Sequence, residues 1–192
     1  MPMPARFANP VEIYQIKVTL RGSQPPIWRR IQLRSDITLA KLHRILQRVM
    51  GWEDAHLHQF VIRDERYGVP DEEDVGPRET KDARKYKLGD VVPAEGSQFR
   101  YDYDFGDNWV HIVVVEKSLP PREGAPSPVC LAGARACPPE DVGGIPGYEN
   151  FLEARRDPKH PEHKEYLEWI GDTFDPDAFD VDEVNRLLRA IR

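Results

Sequence analysis

The 192-residue chain has only two cysteines, no long apolar run and no apolar stretch near its start. Two cysteines cannot build a disulfide framework, which excludes the small secreted domains that such bridges stabilise. No segment approaches the roughly 20 apolar residues of a membrane-spanning helix, and the opening MPMPARFANP lacks the apolar region of a secretory signal. These absences predict a soluble, cytoplasmic protein with no membrane partner.

Several catalytic signatures are also missing from the chain. There is no Gly-x-x-x-x-Gly-Lys, Gly-x-Gly-x-x-Gly or Gly-x-Ser-x-Gly, so neither nucleotide binding nor serine-hydrolase chemistry is supported. None of the five serines lies in a Tyr-x-Arg-x-Ser context, and no histidine is followed three residues later by arginine. A DNA resolvase of either recombinase type therefore has no candidate site here.

Charge is distributed unevenly along the chain. Residues 1–50 carry nine Lys or Arg against two acids, a net charge of +7, whereas the remainder carries 18 against 31, or −13. Lys41, Arg44 and Arg48 line the polar stripe of a predicted helix. Such a basic face can bind nucleic-acid phosphates, dock against the acidic remainder or another protein, or face water, and the sequence leaves these alternatives open.

Apolar periodicity predicts an α+β fold. It indicates strands over 13–21, 27–33, 57–63, 99–105 and 109–117, a helix from Leu39 to Val49, and helical segments near 148–156, 161–171 and 181–191. Asp36 or Thr38 can cap the first helix, and Gly51 ends it. The element order favours a β-grasp-like β-β-α-β-β core with an extra strand. Arg29, on an apolar strand face, is predicted to need an acidic partner.

The predicted organisation is one domain over residues 1–192. It comprises a core (11–118) that includes a charged loop over 64–87 and a short turn at 88–91, a cysteine-, proline- and glycine-rich loop (119–147), and a helical tail (148–192). The segment CLAGARACPPEDVGGIPGY, residues 130–148, holds both cysteines and two adjacent acids. Proline and glycine disfavour helix and central strand there, so the prediction is a structured loop, where functional sites tend to lie.

Histidines and cysteines form a first candidate site, for zinc. Tetrahedral Zn²⁺ takes imidazole and thiolate ligands, and the predicted ligands are His56, His58, His111, Cys130 and Cys137. The first two are expected on one face of a strand. Because the tight Cys-x-x-Cys spacing is absent, buried structural imidazoles and thiols remain the alternative interpretation.

Carboxylates form a second candidate set, which comprises Asp104, Asp107, Glu140 and Asp141, with Asp102 beside them. Packed together, they would bind a hard cation or perform acid/base chemistry. A solvated strand face with turn residues, or pairing with Arg29 or Arg30, are the structural alternatives.

Six segments together resemble the plasmid pRiA open-reading-frame-three-like family, also labelled insertion-element passenger TnpR proteins. They are PPIWRRI (25–31), TLAKLHRILQRVMGW (38–52), HLHQF (56–60), YDYDFGDNWVH (101–111), CPPEDVGGIPGY (137–148) and DPKHPEHKEYLEW (157–169). The resemblance implies an α+β domain found on plasmids, mobile elements and chromosomes, and it brings no biochemical activity with it.

Two functional hypotheses follow from these features. The first is a non-enzymatic binding or accessory module associated with mobile elements. Its surface would be the basic helix face or the groove between the sheet and the cysteine-containing loop. The second is a zinc-dependent hydrolase that uses the histidine and cysteine ligands, with Asp104 or Glu140 as general base.

Overall fold

Eight strands and five helices occur in the structure, a computed structural model that describes residues 11–70, 79–93, 95–121, 123–124 and 127–191. The strands are β1 (Ile13–Leu20), β2 (Trp28–Arg34), β3 (His58–Ile62), β4 (Glu65–Gly68), β5 (Lys81–Asp82), β6 (Gln98–Tyr103), β7 (Trp109–Leu119) and β8 (Val129–Ala134). The helices are α1 (Leu39–Met50), α2 (Leu88–Val91), α3 (Gly144–Arg156), α4 (His163–Ile170) and α5 (Val181–Leu188). None of these helices is long and apolar enough to cross a membrane.

The eight strands form one sheet in the order β5-β4-β3-β6-β7-β1-β2-β8. Neighbours are antiparallel except for the parallel pair β4–β5. Every second residue of β1 is buried, from Tyr14 to Leu20, which is the alternation that the sequence predicts. The α+β class is confirmed. The β-grasp label is a finer description that stays a prediction.

Helix α1 contributes its apolar side to the same core as β1. Thr38 caps its start, because the Oγ1 atom accepts a hydrogen bond from the N–H of Lys41 at 3.2 Å. Gly51 ends it with a φ of 108°, a conformation that glycine adopts without a Cβ clash. Both ends of the helix are as the sequence predicts.

Arg29 has no acidic partner among the residues that the structure describes, and backbone carbonyls occupy its donors instead, so that prediction was wrong. Its buried guanidinium donates to the carbonyl oxygens of Val49 and Met50 at the end of α1, and to those of Ala134, the last residue of β8, and Arg135, which follows it. The last carbonyls of a helix carry partial negative charge and lack intrahelical partners. Backbone dipoles therefore take the place of the expected carboxylate, and one side chain joins β2, α1 and β8.

Two segments predicted as loops contain regular structure. Within 64–87 lie β4, β5 and a 3-10 turn at Ala83–Lys85, while residues 71–78 are outside the described part. Within the cysteine-rich segment lies β8, and α3 already begins at Gly144. An edge strand tolerates this composition since only one side must pair. The other side of β8 is covered by α5, where the Asn185 amide bonds the backbone N–H and carbonyl of Cys130.

Candidate functional site

The turn between β6 and β7 carries the first acid of the site. Asp104 follows β6 with a φ of 54°, a left-handed conformation that aspartate tolerates. Its Oδ1 atom accepts two backbone N–H groups of the turn, at 2.9 and 3.3 Å. Asp107 accepts the N–H of Gly143 through Oδ2 at 2.9 Å. The turn is thereby tied to the segment that carries Glu140 and Asp141.

The close contact between these two segments depends on Gly144. A Cβ atom placed there would lie 2.5 Å from the carbonyl oxygen of Asp107, and the φ of Gly144 is 69°. Both the space and the conformation therefore require glycine. This is the structural role of the glycine-rich stretch that precedes α3.

Three carboxylates converge on the imidazole of His56. Its Nε2 atom lies 3.1 Å from Oδ1 of Asp141, 3.7 Å from Oδ2 of Asp104 and 3.8 Å from Oε2 of Glu140. Ligand atoms that surround one ion with bonds near 2.1 Å lie roughly 3–4 Å apart. Ligand atoms of His56, Asp104 and Asp141 all lie within 4.8 Å of one another. We call these four residues the acidic cluster.

Hydrogen bonds orient Glu140 and leave one of its oxygens unused. Its Oε1 atom accepts from the N–H of Glu53 and the hydroxyl of Tyr103, both at 2.9 Å. Burial and this bond raise the pKa of Tyr103, so the phenol remains a donor. The Oε2 atom of Glu140 and the Nε2 atom of His56 are buried and make no well-aligned hydrogen bond, although Oδ1 of Asp141 lies 3.1 Å from that Nε2 atom. Both point to a ligand that would satisfy them.

The charge balance of the acidic cluster also favours a cation. Three carboxylates face one imidazole, and no Lys or Arg of the described residues forms an ion pair with Asp104, Glu140 or Asp141. Negative charges this close repel one another unless a positive charge lies between them. Oxygen donors with one imidazole nitrogen suit Zn²⁺ or Mn²⁺. Asp141 is 69% exposed, so an ion has a path from solvent.

The other two predicted histidine ligands lie apart from this cluster. The ring of His58 stacks on that of His43, with centroids 3.4 Å apart. His111 is fully buried, and its Nε2 atom accepts from the indole N–H of Trp52 at 3.2 Å. Burial lowers the pKa of His58 and of His111 to about 4, so both are neutral. Because β3 begins only at His58, His56 precedes the strand and is directed elsewhere.

The two thiols do not join the acidic cluster either. Cys130 lies in β8, with Sγ 3.7 Å from the carbonyl oxygen of Ala132. Cys137 packs against Gly51 at the end of α1. Both are free, and burial raises the pKa of each thiol. Protonated, buried thiols are poor metal ligands and poor nucleophiles.

The remaining charged candidates have separate positions. Asp102 accepts from Gln59 and Arg100 on the sheet, and Arg30 pairs with Glu116 at 2.6 Å rather than with the predicted acids. Of the basic stripe on α1, Arg44 and Arg48 are exposed and Lys41 is half-buried.

Sequence reasoning missed several polar residues near these sites: His43, Gln47, Asp54, Tyr101 and Tyr103. The first two occupy buried positions of α1, four residues apart within the apolar side. A polar pair at that spacing in an apolar stripe was the available signal.

Comparison with known proteins finds relatives that match most of the chain. The chain matches the family described as plasmid pRiA4b ORF-3-like protein over residues 12–183. It is 41% identical over 179 residues to the uncharacterized protein y4hQ of Sinorhizobium fredii, which covers 92% of this chain and 90% of the relative. It is also similar to the crystal structure of the protein of unknown function MM3350 from Methanosarcina mazei Go1. That match has a TM-score of 0.78 and 39% identity, and covers 91% of this chain and 98% of the other.

Proposed function

The chain belongs to the plasmid pRiA4b ORF-3-like family, and we propose that it is a non-enzymatic accessory module that binds a divalent transition-metal ion. The ligands are His56, Asp104 and Asp141, with Glu140 beside them. The observation that carries this proposal is the convergence of three carboxylates on one unbonded imidazole nitrogen at 3.1–3.8 Å. Zn²⁺ or Mn²⁺ fits the mixed nitrogen and oxygen donors.

Two exposed apolar side chains support a binding role beside the ion. Leu57 and Phe105 are 63% and 54% exposed, and each adjoins a residue of the acidic cluster in sequence. The N–H of Asp104 donates to the carbonyl of Leu57 at 2.9 Å, which holds the two segments together. Exposed apolar groups around a polar centre are typical of protein contact surfaces. The partner is therefore a protein that covers the groove between the sheet and the cysteine-containing segment.

The setting of this module is also part of the proposal. The family description names a plasmid, which supports an association with mobile elements. Both cysteines are free thiols, which agrees with a reducing cytoplasm.

Titration calorimetry with Zn²⁺ and with Mn²⁺ on tag-free, chelator-treated protein tests the metal site. We expect one equivalent to bind, and His56→Gln and Asp104→Asn each to weaken binding by about tenfold or more, because each removes one ligand. His160→Gln and Asp172→Asn, which alter residues outside the cluster, are the matched controls. Wild-type protein that binds no ion, or ligand variants that bind like the controls, would overturn the proposed metal site.

A metal-dependent hydrolase is the second candidate function. The buried, unbonded Oε2 atom of Glu140 favours it, since a carboxylate 3.8 Å from a metal ligand is placed to accept a proton from water. In that case the metal-loaded wild type cleaves ester or phosphodiester substrates, and Glu140→Gln retains the ion but loses turnover. Absence of turnover in the metal-loaded wild type leaves the binding module.

A further inference from the structure

A separate cavity of about 100 Å³ lies between α1 and α5. Arg44, Gln47 and Arg48 line it from α1, Asp54 from the segment after α1, and Leu187 and Ile191 from α5 and the residues that follow. One wall is therefore polar and the other apolar. None of these residues belongs to the acidic cluster.

A closed ring of hydrogen bonds holds the polar wall in place. The N–H of Asp54 donates to Oε1 of Gln47, whose Nε2 donates to the hydroxyl of Tyr101. That hydroxyl bonds Nδ1 of His43, and Nε2 of His43 bonds Oδ1 of Asp54, which closes the ring. Each of the four contacts is 2.8 Å long. Burial lowers the pKa of His43, which favours the neutral imidazole within this ring of hydrogen bonds. A ligand would meet a preformed surface.

The two arginines supply positive charge that nothing in the described part of the chain neutralises. Arg44 and Arg48 are one helical turn apart, both exposed, and neither forms an ion pair within the described residues. The cavity's single carboxylate, Asp54, is engaged by His43 through Oδ1. Two guanidinium groups against one carboxylate give the cavity a net positive charge.

We propose that this cavity binds a small oxyanion, a phosphate or carboxylate group, between Arg44 and Arg48. The fork of guanidinium N–H donors matches the paired oxygens of both groups. The volume of the cavity equals that of a few water molecules, so it can hold a small anion and is too small for a nucleotide. Leu187, which is 46% exposed, accommodates a short carbon substituent of the anion.

Inorganic phosphate and acetate, titrated separately into the full chain and followed by backbone amide NMR shifts, test this site. We expect saturable shifts at residues 44–54, with the tighter anion identifying the preferred group. Arg44→Gln and Arg48→Gln should each weaken binding about tenfold or more through loss of charge-assisted hydrogen bonds. Lys41→Gln, on the same helix but outside the cavity, should bind like the wild type.

Three outcomes would overturn the proposal. The first is the absence of saturable binding by either anion, and the second is binding that both arginine variants leave unchanged. The third is a pair of results: Lys41→Gln weakens anion binding as much as the arginine variants do, and a single-stranded oligonucleotide also binds, with a steep salt dependence. Together these results would indicate an open basic face that binds nucleic acid. Thermal unfolding of each variant confirms that the folded state is being compared.

Discussion

His56 and His58 are two residues apart but belong to regions with opposite properties. His58 lies in a buried polar centre, which consists of His43, Gln47, His58, Tyr101 and His111. There, burial lowers the pKa of all three imidazoles. His56 lies in the acidic cluster, where three carboxylates surround a partly exposed ring. The comparison shows that residue type alone does not indicate function, because the surrounding charge and solvent access decide what an imidazole does.

Acidification should have the largest effect, and it acts on the buried polar centre. The pKa values of His58 and His111 are lowered from 6.5 to about 4 in the folded state, so folding excludes their protons. Their contribution is complete above pH 6.5 and is lost as the pH falls towards 4. We expect protonation of each imidazole to lower the free energy of unfolding by about 3 kcal/mol. Urea unfolding across this range measures it, and a profile that His58→Gln leaves unchanged would contradict it.

Removal of one hydroxyl from each region is the next test. Tyr101→Phe leaves the buried amide of Gln47 and Nδ1 of His43 unpaired, which should cost about 2–4 kcal/mol. Tyr103→Phe removes the hydroxyl donor to Oε1 of Glu140, which keeps the N–H of Glu53 as a second donor, and the hydroxyl's other partner is the N–H of the exposed Ala55, so we expect about 1 kcal/mol. Chemical denaturation compares the two variants. Equal losses would mean that the two regions do not differ in the predicted way.

The junction that builds the acidic cluster can be tested through its glycine. Gly144→Ala places a methyl group against the carbonyl of Asp107 at a positive φ, so we expect a loss of about 2 kcal/mol or more and weaker cation binding. Gly171→Ala is the matched control. It also has a positive φ but has open space around it, so about 1 kcal/mol is expected, with cation binding unchanged. A Gly144 variant with wild-type cation affinity would show that cation binding does not depend on the close backbone contact at Gly144.

The smallest expected effect has the opposite sign. Asp141→Asn removes one of three adjacent negative charges and retains a side chain that tolerates the φ of 58°. Without added cation, we expect the free energy of unfolding to rise by up to about 0.5 kcal/mol, because the group is exposed. Asp172→Asn should change nothing. Destabilisation of the metal-free protein by Asp141→Asn would argue that the acidic cluster is a structural ion-pair network.

The sequence by itself determined the elements whose signals are local. Alternating burial in β1, the Thr38 cap and Gly51 end of α1, and the hairpin between β6 and β7 all follow from side-chain period and turn chemistry. The α+β class follows from their order. The sequence also singled out each residue of the acidic cluster, although its pattern grouped His56 with the cysteines in one candidate site and the carboxylates in another.

Only the tertiary structure decided which of these residues meet. Pairing of the edge strand β8 and the contact of Arg29 with the end of α1 depend on partners at least 20 residues away in sequence. His56 reaches Asp104 because β3 pairs with β6, and it reaches Glu140 because Gly144 permits a close backbone approach. Periodicity reports which side of an element is buried. It carries no information about which distant segment lies against that side, because long-range packing decides this.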